Sequence, residues 1–292
     1  MDRKKVKQRS PFREEGRAAR WFLLPSLLGI GFLVLAPFVE TIRRSLYNNP
    51  GTQFVGLKNY RSVLNNQAFQ LAVSNTGRFL VVCVPLLLAA SLGLGLMVQK
   101  VGKGGRRFKT TFLLPMAVPV ASVTLLWQVM FAKNGLANAV LTALGAEPVH
   151  FMGTGAAFGV LIFTYLWKNC GYDMILWLAG MDGISKALYE AAEVDGANAF
   201  QQFRYITLPG LVPTMMMVSV LSLLNTFKVF REAYLVAGRY PHDSIYLLQH
   251  LFNNWFLDLD LGRLTAGAVL MAAVLLVLIL LLQKLLERRD GT

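Results

Sequence analysis

Three polar side chains interrupt a long apolar run near the middle of the chain. Lys168, Asn169 and Asp173 lie within residues 160–179, where most other residues are apolar or aromatic. Residues four apart share one face of a helix, so Lys168 lies beside Tyr172, and Asn169 beside Asp173. Charges inside an apolar layer are expensive and should face a bundle interior or a wet cavity. Two interpretations stay open: these residues line a polar pathway, or they form a buried ion pair or another interhelical contact.

A second polar stripe lies in a later apolar run. Ser222, Asn225 and Thr226 recur at spacings of three and four residues. A helix would place them on one face without any charge, so they are candidates for the same pathway. The charged residues that follow, Lys228, Arg231 and Glu232, come about 20 residues after Pro209. At 1.5 Å per residue they reach the far interface, where snorkelling to the headgroups explains them. The alternative is a role in closing that end of the pathway or in contacting another protein there.

The sequence offers no arrangement suited to covalent catalysis. It contains no Ser, His and Asp set with sensible spacing, and His242 and His250 lack a third metal ligand. Cys83 and Cys170 fall within apolar runs and are interpreted as small buried hydrophobes. No G-x-x-x-x-G-K-S/T motif occurs anywhere, so ATP would have to bind a different polypeptide. We therefore expect no catalytic residue, no metal site and no cofactor on this chain.

The composition is that of a membrane protein. Of 292 residues, 55% are hydrophobic and only 15% are charged, whereas a soluble domain carries about a quarter charged. Apolar runs of about 20 residues match the thickness of a bilayer, although Pro or Gly interrupts some of them. We predict six transmembrane helices, at residues 21–42, 72–98, 112–131, 160–179, 211–230 and 264–282.

The positive charges predict the orientation in the membrane. The net charge of +13 could suggest nucleic acid, but 18 of the 29 Lys and Arg residues fall in four alternate segments, against four in the remaining loops. This asymmetry follows the positive-inside rule and predicts that both termini are cytoplasmic. The basic segments should meet anionic lipid headgroups rather than nucleic acid. They are residues 1–20, 100–109, 181–207 and 283–292.

A polar segment at residues 190–213 separates two long apolar runs and is expected on the cytoplasmic side. Its first part should be a short helix that Ser185 caps and that Gly196 ends, because Gly adopts the left-handed conformation without a Cβ clash. Small side chains at Ala191 and Ala192 would let another surface approach closely. A second short helix is expected at about residues 198–206, followed by prolines that open the next long helix. The alternative is an amphipathic helix lying on the membrane surface.

This segment resembles the EAA loop of ABC-importer permeases. In that family the loop forms a coupling helix, which sits in a cleft of a cytoplasmic ATPase. The resemblance therefore implies that Glu190, Ala191, Ala192, Asp195, Gly196 and Ala197 dock on an ATPase. The pattern of E-A-A, D-G-A, an apolar position, I, L-P and a later P falls on Glu190, Ala191, Ala192, Asp195, Gly196, Ala197, Phe203, Ile206, Leu208, Pro209 and Pro213.

Other stretches resemble the carbohydrate branch of the same family. These are the segment FVGLKNYRSVL at residues 54–64, Asn75-Thr76, and an entry to the third span around residues 107–115. The last outer loop departs from the family, because Gly238-Arg239-Tyr240-Pro241 stands where many members have a G-G-P turn. In the MalF-like permeases, the helices before and after the EAA loop contact the sugar. This resemblance supports Lys168, Gly171 and Tyr172 in particular. Together with the two polar stripes, it gives a predicted substrate pathway lined by Lys168, Asn169, Gly171, Tyr172, Asp173, Ser222, Asn225 and Thr226.

Taken together, the sequence predicts an all-α integral membrane subunit with six transmembrane helices, similar to the type I ABC importer permeases. The expected divisions are a basic tail (1–20), a first helix with its outer loop (21–70), the permease domain with the EAA loop at 181–213 (71–287), and a short tail (288–292). The resemblance implies a bacterial-type inner-membrane location. It implies as partners a second, MalG-like permease, two ABC ATPase subunits that bind ATP and Mg, and an extracytoplasmic sugar-binding protein. An ABC permease for a non-sugar solute, and an ATP-independent carrier or scaffold, remain alternatives.

Overall fold

The computed structural model describes residues 22–101 and 105–290, and within these ranges the fold is all-helical apart from one isolated bridge between Tyr47 and Phe54. The basic tail, the first residue of the first predicted span, the glycines at 102 and 104 and the last two residues lie outside the described ranges. The main helices are α1 (Phe22–Ser45), α2 (Lys58–Leu64), α3 (Gln67–Val101), α4 (Gly105–Ala117), α5 (Val120–Met130), α6 (Leu136–Ala143), α7 (Ala156–Asp182), α8 (Lys186–Val194), α9 (Ala199–Gln202), α10 (Val212–Thr226), α11 (Phe230–Ala237), α12 (Leu248–Leu257) and α13 (Leu261–Asp290).

Four helical stretches of the described chain are long and apolar enough to cross a membrane. They correspond to four of the predicted spans and run over Phe22–Ser45, Gln67–Val101, Val212–Ala237 and Leu261–Lys284. Helices α4 and α5 together give a fifth stretch if the bent pair is one span. Helix α7 has 27 residues but is not among these stretches, because Lys168, Asn169 and Asp173 dilute its apolar character. The count of six therefore stays a prediction that depends on α7.

The bend between α4 and α5 lies where the sequence predicts a kink. The two helices meet at 91°, with Pro119 in an extended conformation at the start of α5. Proline has no N–H to continue a helix, and its ring disfavours helical geometry at the residue before it. Pro115, by contrast, is accommodated within α4. The break thus follows from the second of the two prolines.

One compact unit contains residues 22–63 and 259–270. Near the end of α1, Glu40 pairs with Arg43 at 2.7 Å and with Arg44 at 3.0 Å, the local ion pairs that the sequence predicts. Asn59, in the segment resembling sugar permeases, donates hydrogen bonds to the carbonyls at 45 and 47. The Tyr60 hydroxyl lies 2.6 Å from that of Ser45. These polar groups therefore fix the turn between α1 and α2.

The second unit contains residues 64–101, 105–258 and 271–290, and α7 lies at its centre. Helices α3, α4 and α10 pack around α7. Trp177 on α7 is buried and donates its indole N–H to Ser91 of α3 at 2.9 Å. Tyr165, earlier on the same helix, donates its hydroxyl hydrogen to the backbone carbonyl of Ser222 on α10 at 2.7 Å. Buried aromatic side chains with a satisfied polar group thus hold α7 in a fixed rotation.

Glycines on α7 determine how closely its neighbours approach. A Cβ at Gly171 would overlap the backbone carbonyl of Phe112 on α4, and a Cβ at Gly180 would overlap the Thr214 side chain on α10. Gly159, at the other end of the same helix, has nothing within 4 Å of such a Cβ. Close packing against α4 and α10 therefore requires glycine only in the second half of α7.

Candidate translocation pathway and coupling loop

The charged residue in the first half of α7 has a partner far along the chain. Lys168 forms an ion pair with Glu232 of α11, and the two side chains are 21% and 4% exposed. The second carboxylate oxygen of Glu232 is buried and has no hydrogen-bond partner among the described residues. The interpretation of Glu232 as a snorkelling residue at the interface is therefore wrong, because this carboxylate is buried against α7. Lys228 and Arg231, on the same segment, are exposed.

A cavity of about 130 Å³ lies beside this ion pair. Helices α7, α10 and α11 supply its polar lining, while Met116 and Val120, on either side of the α4–α5 bend, supply apolar contacts. The α4–α5 bend therefore lies at the wall of this cavity. The polar and charged side chains of the lining include Lys168, Asn169, Asn225, Lys228, Arg231 and Glu232.

Of the predicted pathway residues, Lys168, Asn169 and Asn225 line this cavity together. They come from two helices that are more than 50 positions apart in sequence, so the fold brings the two predicted polar stripes to one place. Asn169 also donates to the carbonyl of Tyr165 at 2.8 Å. Lys228 donates to the Asn225 side-chain oxygen at 2.8 Å. The lining thus offers amide and ammonium groups that can exchange these bonds for bonds to a bound solute.

The other predicted pathway residues lie outside that lining. Asp173 is fully buried and accepts a hydrogen bond from Ser222 at 2.8 Å, an interhelical contact of the kind that the sequence left open. Gly171 packs against the backbone of α4, and Thr226 is buried with its hydroxyl donating to the Leu223 carbonyl. Tyr172 is half-buried. A pathway role for these five residues stays a prediction, whereas their structural contacts are direct. The list comprises Gly171, Tyr172, Asp173, Ser222 and Thr226.

The sequence analysis missed the charged residues of α11 as members of this site. The sequence signal for this pairing is one Lys and one Glu in two different apolar stretches. Such a pair is far less expensive together than apart, because each charge lowers the cost of burying the other. Glu232 lies just beyond the fifth predicted span, residues 211–230, so pairing opposite charges between predicted spans would not have joined it to Lys168.

The loop at residues 184–210 has the two helices that the sequence predicts. Helix α8 begins after Ser185 and ends in a left-handed glycine, Gly196, with φ of +77°. The N–H of Gly196 donates to the carbonyl of Glu193, and the N–H of Ala197 donates to that of Ala192 at 2.8 Å. This pair of bonds is a Schellman motif, which needs a residue with positive φ. Ser185 stands at the N-cap position but makes no side-chain capping bond, so that detail of the prediction is wrong.

The second short helix of this loop is capped more strongly than the first. Asn198 accepts from the N–H of Gln201 at 3.0 Å, and the Gln201 side chain accepts from the N–H of Asn198 at 2.8 Å. This capping box fixes α9 directly after the Schellman turn. The Tyr189 hydroxyl lies 2.9 Å from the Thr207 hydroxyl and ties α8 to the far end of the loop. Local sequence alone therefore gives the loop a defined shape.

The surface of this loop combines small and apolar groups. Glu190, Ala191, Asp195 and Gly196 are exposed, and Ala192 and Ala197 are half-buried. The apolar side chains exposed on the same loop are Leu188, Val194, Phe200 and Tyr205, of which Val194 is 89% exposed. Large apolar groups exposed together on one short loop are typical of a surface that another protein or a membrane covers.

An aromatic cage surrounds a buried histidine in the first turn of α12. The His250 ring lies edge-on to Phe230 with centroids 4.7 Å apart, stacks near Tyr246 and also approaches Tyr234. Its Nδ1 accepts from the N–H of Leu247 at 3.3 Å, while Nε2 is buried and has no partner in the described part of the chain. Burial without a counter-charge lowers the pKa of His250 to about 4. This histidine is therefore neutral in the folded protein near pH 7.

Acidification should destabilise the protein through His250. The unfolded chain takes up this proton near pH 6.5, while the folded protein excludes it until about pH 4, so stability falls as the pH falls through that window. At pH 5 the loss should be about 2 kcal/mol relative to pH 7. We expect His250→Leu to flatten the dependence of unfolding on pH, and His150→Gln, at an exposed histidine, to leave it intact. Detergent unfolding curves at pH 7, 6 and 5 measure this, and equal slopes for all three proteins would contradict it.

A more exposed ion pair joins the loop after α11 to the end of α12. Arg239 pairs with Asp258, and a hydrogen bond to that carboxylate raises the pKa of the guanidinium. Arg239 also donates to the side-chain oxygen of Asn254 at 3.0 Å. Asn75 and Thr76, from the sugar-branch motif, bond to the backbone at 246 and 248. Arg239 lies where the sequence departs from the G-G-P turn of many family members. It therefore helps to hold this loop together.

Comparison with known proteins assigns this arrangement to a class. Residues 86–290 match the family model described as "Binding-protein-dependent transport system inner membrane component". This range covers most of the chain, and its helices include those that carry the cavity and the capped loop. The chain belongs to this family of membrane permease components.

Three of the similar proteins are named as permeases of sugar transport systems. The chain is 31% identical to the trehalose/maltose transport system permease protein MalF of Thermococcus litoralis, over 90% of this chain and 91% of that protein. It is 31% identical to the arabinooligosaccharides transport system permease protein AraP of Bacillus subtilis, over 90% of this chain and 85% of that one. A lactose transport system permease, LacF of Rhizobium radiobacter, is 31% identical over 73% of this chain and 74% of its own length.

A solved structure has the same fold. It is that of a bacterial ABC transporter involved in the import of the acidic polysaccharide alginate, with a TM-score of 0.82 and 24% identity. The alignment covers 94% of this chain and 96% of the other. The prediction of an ABC-importer permease is therefore confirmed for the family and the fold.

Proposed function

We propose that this chain is a membrane-spanning permease subunit of an ATP-driven, binding-protein-dependent sugar importer. Its support is the family of the chain together with three relatives whose names place them in the transport of trehalose and maltose, arabinooligosaccharides and lactose. The cavity lined by Lys168, Asn169 and Asn225 forms part of the route. Amide and ammonium groups of this kind donate the hydrogen bonds that sugar hydroxyls accept. The chain carries out no covalent chemistry in this scheme.

The capped loop couples this route to a separate ATPase. Helix α8 and the Schellman turn present small residues, Ala191 and Gly196, beside the exposed apolar group Val194, which suits insertion into a cleft of a cytoplasmic partner. Closure of an ATPase dimer on ATP and Mg would push this rigid loop. The long helices would then swing between inward-open and outward-open arrangements around the cavity. Two ATPase subunits, a second permease and an extracytoplasmic binding protein complete the importer, in a bacterial-type inner membrane with both termini of this chain cytoplasmic.

The experiment that tests this assignment is purification of the tagged protein from mild detergent, with identification of the chains that accompany it. A P-loop ATPase and a second permease support the importer, and maltotriose-dependent stimulation of ATP hydrolysis in the presence of a sugar-binding protein would extend it to transport. An ATPase without a second permease indicates a homodimer. Recovery of the folded chain alone in several detergents contradicts stable ATPase coupling and favours a carrier or scaffold.

A substitution in the loop tests coupling separately from assembly. We expect Gly196→Asp to abolish most ATP-driven uptake, because it strains a left-handed residue by about 1 kcal/mol and places a charge on the surface that docks. Gly145→Asp is the matched control, since Gly145 has a similar φ of +78° but lies in the loop after α6. Uptake by proteoliposomes containing the whole complex measures both variants. Equal uptake by Gly196→Asp and the wild type would refute coupling through this loop.

A further inference from the structure

The cavity beside α7 carries an excess of positive charge. Its lining holds three cationic side chains, Lys168, Lys228 and Arg231, against one carboxylate, Glu232. Because Lys168 and Glu232 neutralise each other in an ion pair, the excess comes from Lys228 and Arg231. A cavity with low-dielectric walls concentrates such a field, so the two cations act together on any solute inside.

Lys228 and Arg231 are arranged as a pair on one turn of the chain. They are three residues apart, and the N–H of Arg231 donates to the Lys228 carbonyl at 3.1 Å, so a single helical turn places both side chains on one side. Neither has a carboxylate partner among the ion pairs of the described chain, and the Lys228 ammonium is held instead by the neutral Asn225 amide. Both are exposed and lie at the cavity wall.

The chemistry of these groups favours a particular kind of solute. A guanidinium presents a planar fork of N–H donors that matches a carboxylate, and an ammonium adds a point charge. The amides of Asn169 and Asn225 in the same lining donate and accept hydrogen bonds, as sugar hydroxyls require. The hydroxyls of a neutral sugar would accept hydrogen bonds from the amides and from the cations, but they would leave both positive charges without a counter-charge. A sugar that carries carboxylates would also neutralise those charges.

From this arrangement we propose that the cargo of the importer is an acidic carbohydrate, such as a short oligosaccharide of uronic acids, and that Lys228 and Arg231 bind its carboxylates. The proposal rests on the proposed function, because it names the substrate class of the same route. Lys168 is a positioning residue here, since its charge is already neutralised by Glu232. The specificity of the permease would then add to that of the binding protein.

Direct binding to the purified complex in nanodiscs tests this proposal without the binding protein. Saturation-transfer NMR would compare trigalacturonate, the neutral trisaccharide maltotriose and the non-sugar tricarboxylate tricarballylate at equal concentration. The variants are Lys228→Gln with Arg231→Gln, and the charge-preserving pair Lys228→Arg with Arg231→Lys. Lys58→Gln, at an exposed cation outside the cavity lining, is the control for general electrostatic attraction.

We expect stronger saturation transfer to trigalacturonate than to either other compound. Saturation transfer to trigalacturonate should fall at least threefold in the double variant Lys228→Gln with Arg231→Gln. It should persist in the double variant Lys228→Arg with Arg231→Lys and in Lys58→Gln. The proposal is overturned by transfer to maltotriose that equals or exceeds that to trigalacturonate, by no effect of the Gln pair, or by no transfer to any compound. Equal transfer to tricarballylate also overturns it, because the site would then recognise charge and not a sugar acid.

This outcome is separable from the failure of the importer assignment. If maltotriose binds best and the complex still contains an ATPase that responds to sugar, only the inference about acidic cargo fails. If no ATPase accompanies the chain, the proposed function fails on its own experiment, whichever compound binds to the cavity.

Discussion

Replacing Glu232 by Gln is expected to lower the free energy of unfolding by about 3 kcal/mol, the low end of the range for a broken buried ion pair. Glu232 is almost fully buried, and its only ionic partner in the described chain is Lys168. Gln keeps the shape of the side chain but removes the charge, so the Lys168 ammonium remains in a mostly buried site without a counter-ion. The lower end applies because Lys168 keeps 21% of its surface exposed and so retains part of its hydration.

Unfolding in mixed micelles with increasing SDS, followed by circular dichroism, measures this loss. The double variant Lys168→Met with Glu232→Gln should recover part of the stability, because the unpaired ammonium is removed with its partner. The matched control is Asp258→Asn, which breaks the exposed pair with Arg239 and should have a much smaller effect. If the two single variants lose the same stability, the Lys168–Glu232 pair is not a buried interaction in the membrane.

The local features of the capped loop at residues 184–210 were predictable from the sequence, and the ion pair was not. A Schellman turn at Gly196 and a cap at Asn198 depend on residues within five positions of each other, so sequence spacing determines them. Lys168 and Glu232 are 64 positions apart, and their pairing depends on how α7 packs against α11. The sequence located Lys168 and assigned Glu232 to the interface, because helical length alone says nothing about which face a residue presents.

The two polar stripes also show that sequence spacing does not predict which neighbours a side chain faces. Spacing of three and four residues correctly places Asn225 on one helix with Ser222, but it does not say what either faces. In the fold, Asn225 lines the cavity while Ser222 donates to the buried Asp173. The count of six spans is a further case, because the polar residues that predict a pathway along α7 also lower its apolar character below that of its neighbours.

The glycines of α7 show that a sequence motif is weaker evidence for close helix packing than an observed contact. The spacing of Gly155 and Gly159 matches G-x-x-x-G, a pattern found where membrane helices approach closely. Yet neither glycine has a neighbour within 4 Å of an added Cβ in this chain. Gly171, which belongs to no such motif, lies directly against the α4 backbone. Whether a position requires glycine depends on the atoms that a Cβ there would contact, and the sequence does not show which atoms these are.

Gly171→Ala should therefore destabilise the protein by about 2 kcal/mol, a typical cost of overpacking. The added Cβ overlaps the backbone carbonyl of Phe112, and a main-chain atom within a helix cannot move aside as a flexible side chain can. Relief of the overlap requires α4 to shift away from α7. Since Met116 on α4 also lines the cavity, we expect uptake by the complex to fall together with stability.

Gly159→Ala, on the same helix, should have the opposite sign. Its Cβ enters open space, and alanine has a higher helix propensity than glycine by about 1 kcal/mol. The two variants make the same chemical change in one helix, so their difference isolates the contact with α4 from the effect of propensity. SDS unfolding of both proteins measures it. A Gly171→Ala protein as stable as the Gly159→Ala protein would show that α4 and α7 are not in van der Waals contact at Phe112, and the shape assigned to the cavity would have to change with it.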